Sequence, residues 1–289
     1  MRLATRRRVG TLAVLAPPLA WALLFMIAPY AIMFAYSFYR KQAFAFVPEL
    51  NLDSYMALLL DPQYRLVLLR TLKIALLVSV SALVLAYPLA YFLVFKVRSA
   101  RLRLFLYMAV IVPLWVSYLL RAYTWKTILG SEGVLNSFFL WAGVLSEPSP
   151  LFIYNQFSMV LTLTYIFIPF MVMPIYTSLE KIPRSLIEAS GDLGVGPTVT
   201  FLRITLPLSV PGILAGATFT FCLTFGDFVT PFLVGGPNGT LVANTIQSQF
   251  GIAFNWPLGA ALSIVMLAIV IFIISTSDRF ERAGRLDLA

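Results

Sequence analysis

Histidine is absent from this chain of 289 residues, and cysteine occurs once, as Cys222. Without an imidazole there is no histidine-based catalysis, and a lone thiol excludes an intramolecular disulfide and a zinc cluster, so no metal or cofactor is expected in the chain. Charge is scarce too. Asp, Glu, Lys and Arg make up 11% of the residues, against about 25% in soluble domains. No G-x-x-x-x-G-K-[ST] run occurs, so the chain has no P-loop with which to bind a nucleotide. With so few carboxylates, no nucleophile–base–orienter set can be assembled, and an enzyme active site is not expected.

What the chain does have is apolar length. Hydrophobic residues make up 60% of it, which points to an all-α polytopic membrane protein. Six spans are expected, at about residues 12–38, 71–95, 103–128, 157–179, 208–234 and 257–277, each long enough for the about 20 residues a bilayer needs. The run from Val9 to Phe38 follows Arg2, Arg6, Arg7 and Arg8. It is far longer than a signal-peptide core, and is read as an uncleaved span that either kinks at Pro17 and Pro18 or begins at Leu19. Pro88, Pro113, Pro169, Pro174, Pro211 and Pro231 sit inside the later spans. A proline frees carbonyls that only a neighbouring helix or a wet cavity can satisfy. Their number argues for a packed bundle with a pathway, although most single kinks need no function.

The net charge of +9 is not a nucleic-acid signal, because the cations stand beside apolar spans, where they set orientation. Lys96, Arg98, Arg101 and Arg103 follow the second span, Lys181, Arg184 and Arg203 the fourth, and Arg279, Arg282 and Arg285 the sixth. Residues 129–156 hold no Lys or Arg, and 235–256 hold no charge at all. Only Arg40, Lys41, Arg65 and Arg70, in the first loop, run against the bias. The expected organisation is a cytoplasmic arm at 1–11, a membrane domain at 12–277 and a cytoplasmic tail at 278–289.

One polar interval interrupts the apolar pattern. From Arg184 it reads R-S-L-I-E-A-S-G-D-L-G-V-G-P-T-V-T-F-L-R-I-T-L-P, ending at Pro207. Pro183 can open a helix over 184–193, since its missing N–H goes unused there. Gly194 and Gly196 can stop that helix, and Pro197 can start another. Two short helices joined by a glycine turn are expected. The first is too short and too charged to cross a bilayer, so it lies on the surface and presents its face to a partner.

The loops on the other side also carry short helical patterns, at 51–60, 131–145 and about 241–250. Together they form a platform for a partner, or each folds down onto the bundle. Asp227 stands inside the fifth span, in F-G-D-F-V-T-P-F-L-V-G-G. An ionisable group there costs about 2.5–3.5 kcal/mol on insertion scales, so it faces a cavity or a partner. It can equally cap a broken helix, and Gly226, Pro231, Gly235 and Gly236 suggest a break. Tyr118, Tyr123, Trp125, Phe225 and Phe228 surround it in the pattern. They fit an interfacial aromatic belt or faces for an amine. Arg70, Lys73, Arg121 and Lys126, near span ends, are expected to snorkel.

The interval at 184–207 resembles the EAA loop of bacterial ABC importer permeases. Glu188, Ala189, Gly194, Ile204, Leu206 and Pro207 keep the spacing E-A-x-x-x-x-G-x9-I-x-L-P, and only Ser190 departs, standing for an alanine. Further stretches, I-V-P-L-W-V-S-Y-L-L-R-A-Y-T-W, Y-I-F-I-P-F-M-V-M-P-I-Y-T-S-L-E-K-I-P, I-Q-S-Q-F and N-W-P-L-G-A-A, extend the resemblance over nearly the whole chain. They are similar to the first permease subunit of spermidine/putrescine importers. G-D-F-V-T-P resembles the putrescine branch, although Phe232 stands where that branch often has a second acid. Related permeases carry opines, other amines, iron(III) or sulfate, and a secondary transporter and a membrane scaffold or assembly factor are the other classes kept open. The resemblance implies a six-helix MetI-like fold in the bacterial inner membrane, with both termini cytoplasmic. It implies a second, non-identical permease, two ATPase subunits that use ATP, and a periplasmic substrate-binding protein. It makes Arg184, Glu188, Ala189, Ser190, Gly191, Asp192, Gly194, Ile204, Leu206 and Pro207 the ATPase-coupling residues, with Asp227, Phe225, Phe228, Tyr123 and Trp125 along the substrate pathway.

Overall fold

The computed structural model describes residues 14–42 and 45–286, with side chains as far as Phe280. The expected arm at 1–11, the first residues of the first span, residues 287–289 and the side chains of Arg282 and Arg285 lie outside the described residues.

Helix α1 covers Val14–Tyr36. A hairpin of β1 (Arg40–Gln42) and β2 (Ala45–Val47) follows, with Arg40 opposite Val47. Next come α2 (Asp53–Leu60), α3 (Pro62–Lys96) and α4 (Ala100–Trp115). Then α5 (Tyr118–Leu129), α6 (Val134–Trp141) and α7 (Gln156–Glu180). The polar interval holds α8 (Arg184–Asp192), which leads into α9 (Pro197–Phe225). The chain ends with α10 (Val229–Val234), α11 (Val242–Phe250) and α12 (Trp256–Leu286).

Among the described residues α1, α3, α7, α9 and α12 are long and apolar enough to cross a membrane, and there are six spans if the bent pair α4 with α5–α6 is one of them. That pair corrects the expected continuous span over 103–128. The chain turns by 96° between Trp115 and Tyr118. Pro113 lacks the N–H a helix needs, the backbone tightens into a 3-10 turn over Val112–Trp115, and Val116 is extended with ψ 137°. The polar interval needs a second correction. Its second helix is not short, because Pro197 opens the fifth span itself, which begins eleven residues before the expected start at 208 and ends at Phe225 instead of 234. At the C-terminus α12 runs on through the expected tail from 278 as far as Leu286.

The chain forms two compact units. Of the described residues, one holds those up to Arg65 with Thr245–Ala268, and the other holds Leu66–Asn244 with those from Ile269. In the first, Leu58 packs with Leu258, Ala261 and Leu262, and Phe46 lies among Tyr36, Phe254 and Trp256. Arg40 reaches Glu49 at 3.3 Å and Asp53 at 3.2 Å, and Lys41 donates to the Ala253 carbonyl at 2.9 Å. These cations, which ran against the charge bias, are held by local polar partners.

In the second unit α3 turns Ala82, Ala86, Ala90 and Leu93, all fully buried, onto Met171, Val172, Ile175 and Leu179 of α7. The alanines recur at the spacing of one helical face, and small side chains let two membrane helices approach closely. α9 packs along α7 through Gly212 and Gly216, a G-x-x-x-G pair. A Cβ at Gly212 would lie 2.5 Å from Ser178 Cβ, and one at Gly216 would lie 2.8 Å from Met171 Sδ. A second cluster joins Ile74 and Val78 of α3, Ala122 of α5, Leu163 and Ile166 of α7, and Leu233 and Val234 of α10.

Candidate functional site

The polar interval folds as a surface helix on a fixed hinge. Pro183 stands before α8 in an extended conformation, with ψ 129°. Along α8, Arg184, Leu186, Glu188, Ala189, Gly191 and Asp192 are exposed, and only Ser190 is buried. The helix ends in a Schellman motif. The Val195 amide donates to the Ser190 carbonyl at 3.0 Å, and the Gly194 amide to Gly191 at 2.9 Å. Gly194 takes φ +73°, a region open to glycine at little cost. The Ser190 hydroxyl bonds Thr200 at 2.7 Å, so the one departure from the EAA pattern forms a bond between α8 and the first turn of α9. Ile204, Leu206 and Pro207 lie on α9 itself, half-buried. At the other end of α8, Arg184 donates to the Val94 carbonyl at 3.4 Å, at the foot of α3. A cavity of about 700 Å³ opens beside this helix, lined by Lys181, Pro183 and Leu186 together with Pro174 of α7 and Pro211 of α9.

The break after Phe225 holds Asp227. Its side chain is 7% exposed. One carboxylate oxygen accepts from the Tyr118 hydroxyl and from the Val229 amide at 3.2 Å, and the other from the Thr230 amide at 3.1 Å. Because Tyr118 spends its proton on Asp227, the Thr230 hydroxyl, 2.8 Å from the Tyr118 oxygen, is the donor of that pair. Asp227 therefore caps α10 and joins it to α5. Tyr118 is the residue that linear pattern undervalued, since only the bend at 116–117 turns it toward the break. Phe225 is fully buried and stacks on Phe221 at 5.5 Å, whereas Phe228 is 45% exposed. Trp125 meets Tyr165 of α7 with ring centres 5.2 Å apart. Tyr123 is exposed and lines a recess with Lys126, Gly130, Ser131 and Tyr154.

Arg121 departs from its expected snorkelling. It is 9% exposed, and its Nη1 donates to the Ile166 carbonyl of α7 at 3.1 Å. Pro169, three residues further along α7, withholds an amide from the carbonyl of Tyr165, the residue before Ile166. Arg121 Nε has no partner, and neither do the buried hydroxyls of Thr162, Thr164 and Thr220. Arg70 and Lys73 do reach polar ends, the Thr240 carbonyl at 3.4 Å and Gln156 Oε1 at 3.3 Å. Among the described residues no group of acids and cysteine is placed to hold a metal ion.

A family model described as binding-protein-dependent transport system inner membrane component matches residues 82–283. The chain is 40% identical over 252 residues to the spermidine/putrescine transport system permease protein PotB of Escherichia coli (strain K12), covering 86% of this chain and 90% of that one. It is 36% identical over 276 residues to the inner membrane ABC transporter permease protein YdcU of the same organism, covering 91% and 87%. Among solved structures, a chain of the bacterial alginate ABC transporter in complex with an alginate pentasaccharide-bound periplasmic protein superposes with a TM-score of 0.79 at 18% identity, covering 96% of each chain. An identity that low speaks for the fold alone.

Proposed function

The chain belongs to the binding-protein-dependent transport system inner membrane component family and is a permease subunit of an ABC importer; on that premise we propose that its solute is a polyamine of the spermidine/putrescine class. The observation that carries this reading is the 40% identity, over 86% of the chain, to a permease named for those solutes. In this reading the chain hydrolyses nothing. It forms half of a pathway with a second, non-identical permease, receives solute from a periplasmic binding protein, and is driven by two cytoplasmic ATPase subunits that use ATP. The charge bias of the loops supports a cytoplasmic position for both termini and α8.

The exposed face of α8, around Glu188, is the part offered to the ATPase. What supports this is a helix held at both ends, by Arg184 on Val94 of α3 and by Ser190 on Thr200 of α9, with its outward side bare. A push on α8 is passed directly to α9, because Pro197 begins that span only a few residues later. The pathway runs past the break at Gly226–Phe228. There Asp227 keeps the break in shape and Phe228 offers an aromatic face, with Tyr123 and Trp125 further along α5 as further faces of the pathway and Phe225 packed inside on Phe221. Aromatic faces attract ammonium groups by about 0.5–2 kcal/mol each, enough to guide a polyamine without trapping it.

The test is uptake by the complete importer in proteoliposomes, with its ATPases and receptor. Labelled spermidine or putrescine should accumulate only with ATP, and unlabelled polyamine should compete while sulfate, iron(III) and opines do not. Accumulation of sulfate or iron(III) in place of polyamine would overturn the solute assignment and leave the permease assignment standing.

A further inference from the structure

Helix α6 is apolar on its outward face as well as on its inward one, where Leu135, Phe139 and Leu140 are half-buried. Its one fully buried residue is polar. Asn136 is fully buried and bonded through its side chain to the Gly130 carbonyl at 3.0 Å, the Ser149 carbonyl at 3.3 Å and the Ser149 amide at 2.8 Å. Its outward residues are apolar. Val134 is 69% exposed, Phe138 55% and Trp141 84%. Their spacing of four and three residues puts them on one stripe, interrupted only by exposed Ser137. Of the short helices at 51–60 and 241–250, α2 buries Leu58 but also exposes Met56, Leu59 and Leu60, and α11 buries Val242.

We infer that α6 lies in the membrane interface, with the Val134–Phe138–Trp141 stripe sunk among lipid chains, and so is not part of the receptor-docking platform. The length fits lying and not crossing, since eight residues rise about 12 Å against a core of about 30 Å. The chemistry fits lipid. α6 itself carries no charge, its outward residues are Val134, Phe138 and Trp141 around a single Ser137, and tryptophan is enriched at membrane interfaces. The position fits as well. α6 ends the stretch that begins with α5, whose Leu119 and Leu120 are exposed apolar residues. A soluble receptor is the poorer occupant, because it visits and leaves, and between visits it would return this stripe to water. The geometry is held from inside by the Asn136 bonds and at the end by a second Schellman motif. There Gly143 takes φ +68°, and the Val144 amide donates to the Phe139 carbonyl at 3.0 Å. The inference needs only that the chain is a membrane permease, and does not depend on the solute.

The test places a nitroxide at residue 134, 138 or 141, through Val134→Cys, Phe138→Cys or Trp141→Cys in a Cys222→Ser chain. The complete, otherwise cysteine-free importer is assembled in vesicles of phosphatidylethanolamine and phosphatidylglycerol. Oxygen, which partitions into lipid, should collide with all three labels several-fold more often than a water-soluble nickel chelate does. Dominant collision with the nickel chelate would overturn the inference and leave a bare aqueous docking face. Low collision with both would also overturn it, showing that protein covers the stripe. Should the cysteine chains fail to assemble, the parent and Trp141→Phe complexes are compared in vesicles of brominated phosphatidylcholine. The emission contributed by Trp141 should be quenched there, and unquenched emission overturns the inference.

Discussion

The Tyr118 hydroxyl donates to the Asp227 carboxylate across 109 positions of sequence. That bond joins the helix after the first bend to the helix after the second break. Each of these elements interrupts what would otherwise be a straight span, and the two interruptions stabilise each other. Asp227 is thereby used up. Its oxygens meet a hydroxyl and two amides, which is how a charge inside a membrane protein becomes tolerable.

The carboxylate is therefore predicted to matter first as a cap. Asparagine caps about as well as aspartate, whereas alanine costs about 0.5–2 kcal/mol, with more lost because a hydrogen bond to a charged group is worth about 1.5–3 kcal/mol. Asp227→Asn should assemble and keep most of its polyamine uptake, and Asp227→Ala should lower the unfolding midpoint and the yield of complex. Tyr118→Phe should fall between them. If Asp227→Asn assembles normally yet transports nothing, the charge itself meets the solute and the cap is secondary.

Gly194 is constrained by its backbone angle and not by space. No atom lies within 4 Å of where its Cβ would be, yet φ is +73°. A left-handed residue with a side chain costs about 1–2 kcal/mol, and a β-branched one fits worse than Asn. Gly194→Val should leave a chain that inserts but whose α8 is misplaced, so that receptor-stimulated ATP hydrolysis falls sharply. Gly194→Asn should retain most of it. Equal, normal hydrolysis in both variants would remove α8 placement from the coupling argument.

Much of this was legible in the sequence, and what was not has a physical cause. Pro183, Gly194, Gly196 and Pro197 act through local backbone chemistry, so both ends of α8 could be read from the chain. The glycines around Asp227 announced the break in the same way. The fate of Arg121 could not be read. Hydropathy places it near a span end, but whether a long cation snorkels or turns inward depends on a carbonyl 45 positions away. The 96° turn at Pro113 was hidden for a related reason, since most prolines in membrane helices bend them gently and only packing decides which one breaks.

The α7–α9 contact makes a prediction of the opposite kind to Gly194, because here space decides. A methyl at Gly212 would meet the Pro174 carbonyl at 2.6 Å as well as Ser178. Neither is the loose end of a flexible chain. Overpacking costs about 1–3 kcal/mol, and the helices must separate to relieve it. Gly212→Ala should reduce the amount of monodisperse complex and lower its unfolding midpoint, more than Gly191→Ala, where a Cβ has nothing within 4 Å. Equal midpoints would mean that α7 and α9 are not held at this distance in the assembled importer.

Arg121 offers the sharpest separation of charge from hydrogen bonding. Its guanidinium gives one bond to Ile166 and leaves Nε unpartnered. The bond reaches the Ile166 carbonyl, three residues before Pro169, but the buried charge carries a desolvation cost. Apolar replacement of buried charges is often neutral or stabilising. Lysine keeps the charge but is a point donor on a stem without the guanidinium fork. If the role is to satisfy the carbonyl, Arg121→Met loses about 0.5–1.5 kcal/mol of hydrogen bonding, offset by the relieved charge, and Arg121→Lys keeps the cost without the geometry. The expected order of unfolding midpoints is parent, then Met, then Lys. Were Lys to match the parent while Met unfolds early, the positive charge would be what the bundle needs, and an acid that reaches it in another conformation of the importer would have to be sought, with Asp227, held one helical turn away through Tyr118, as the first to test.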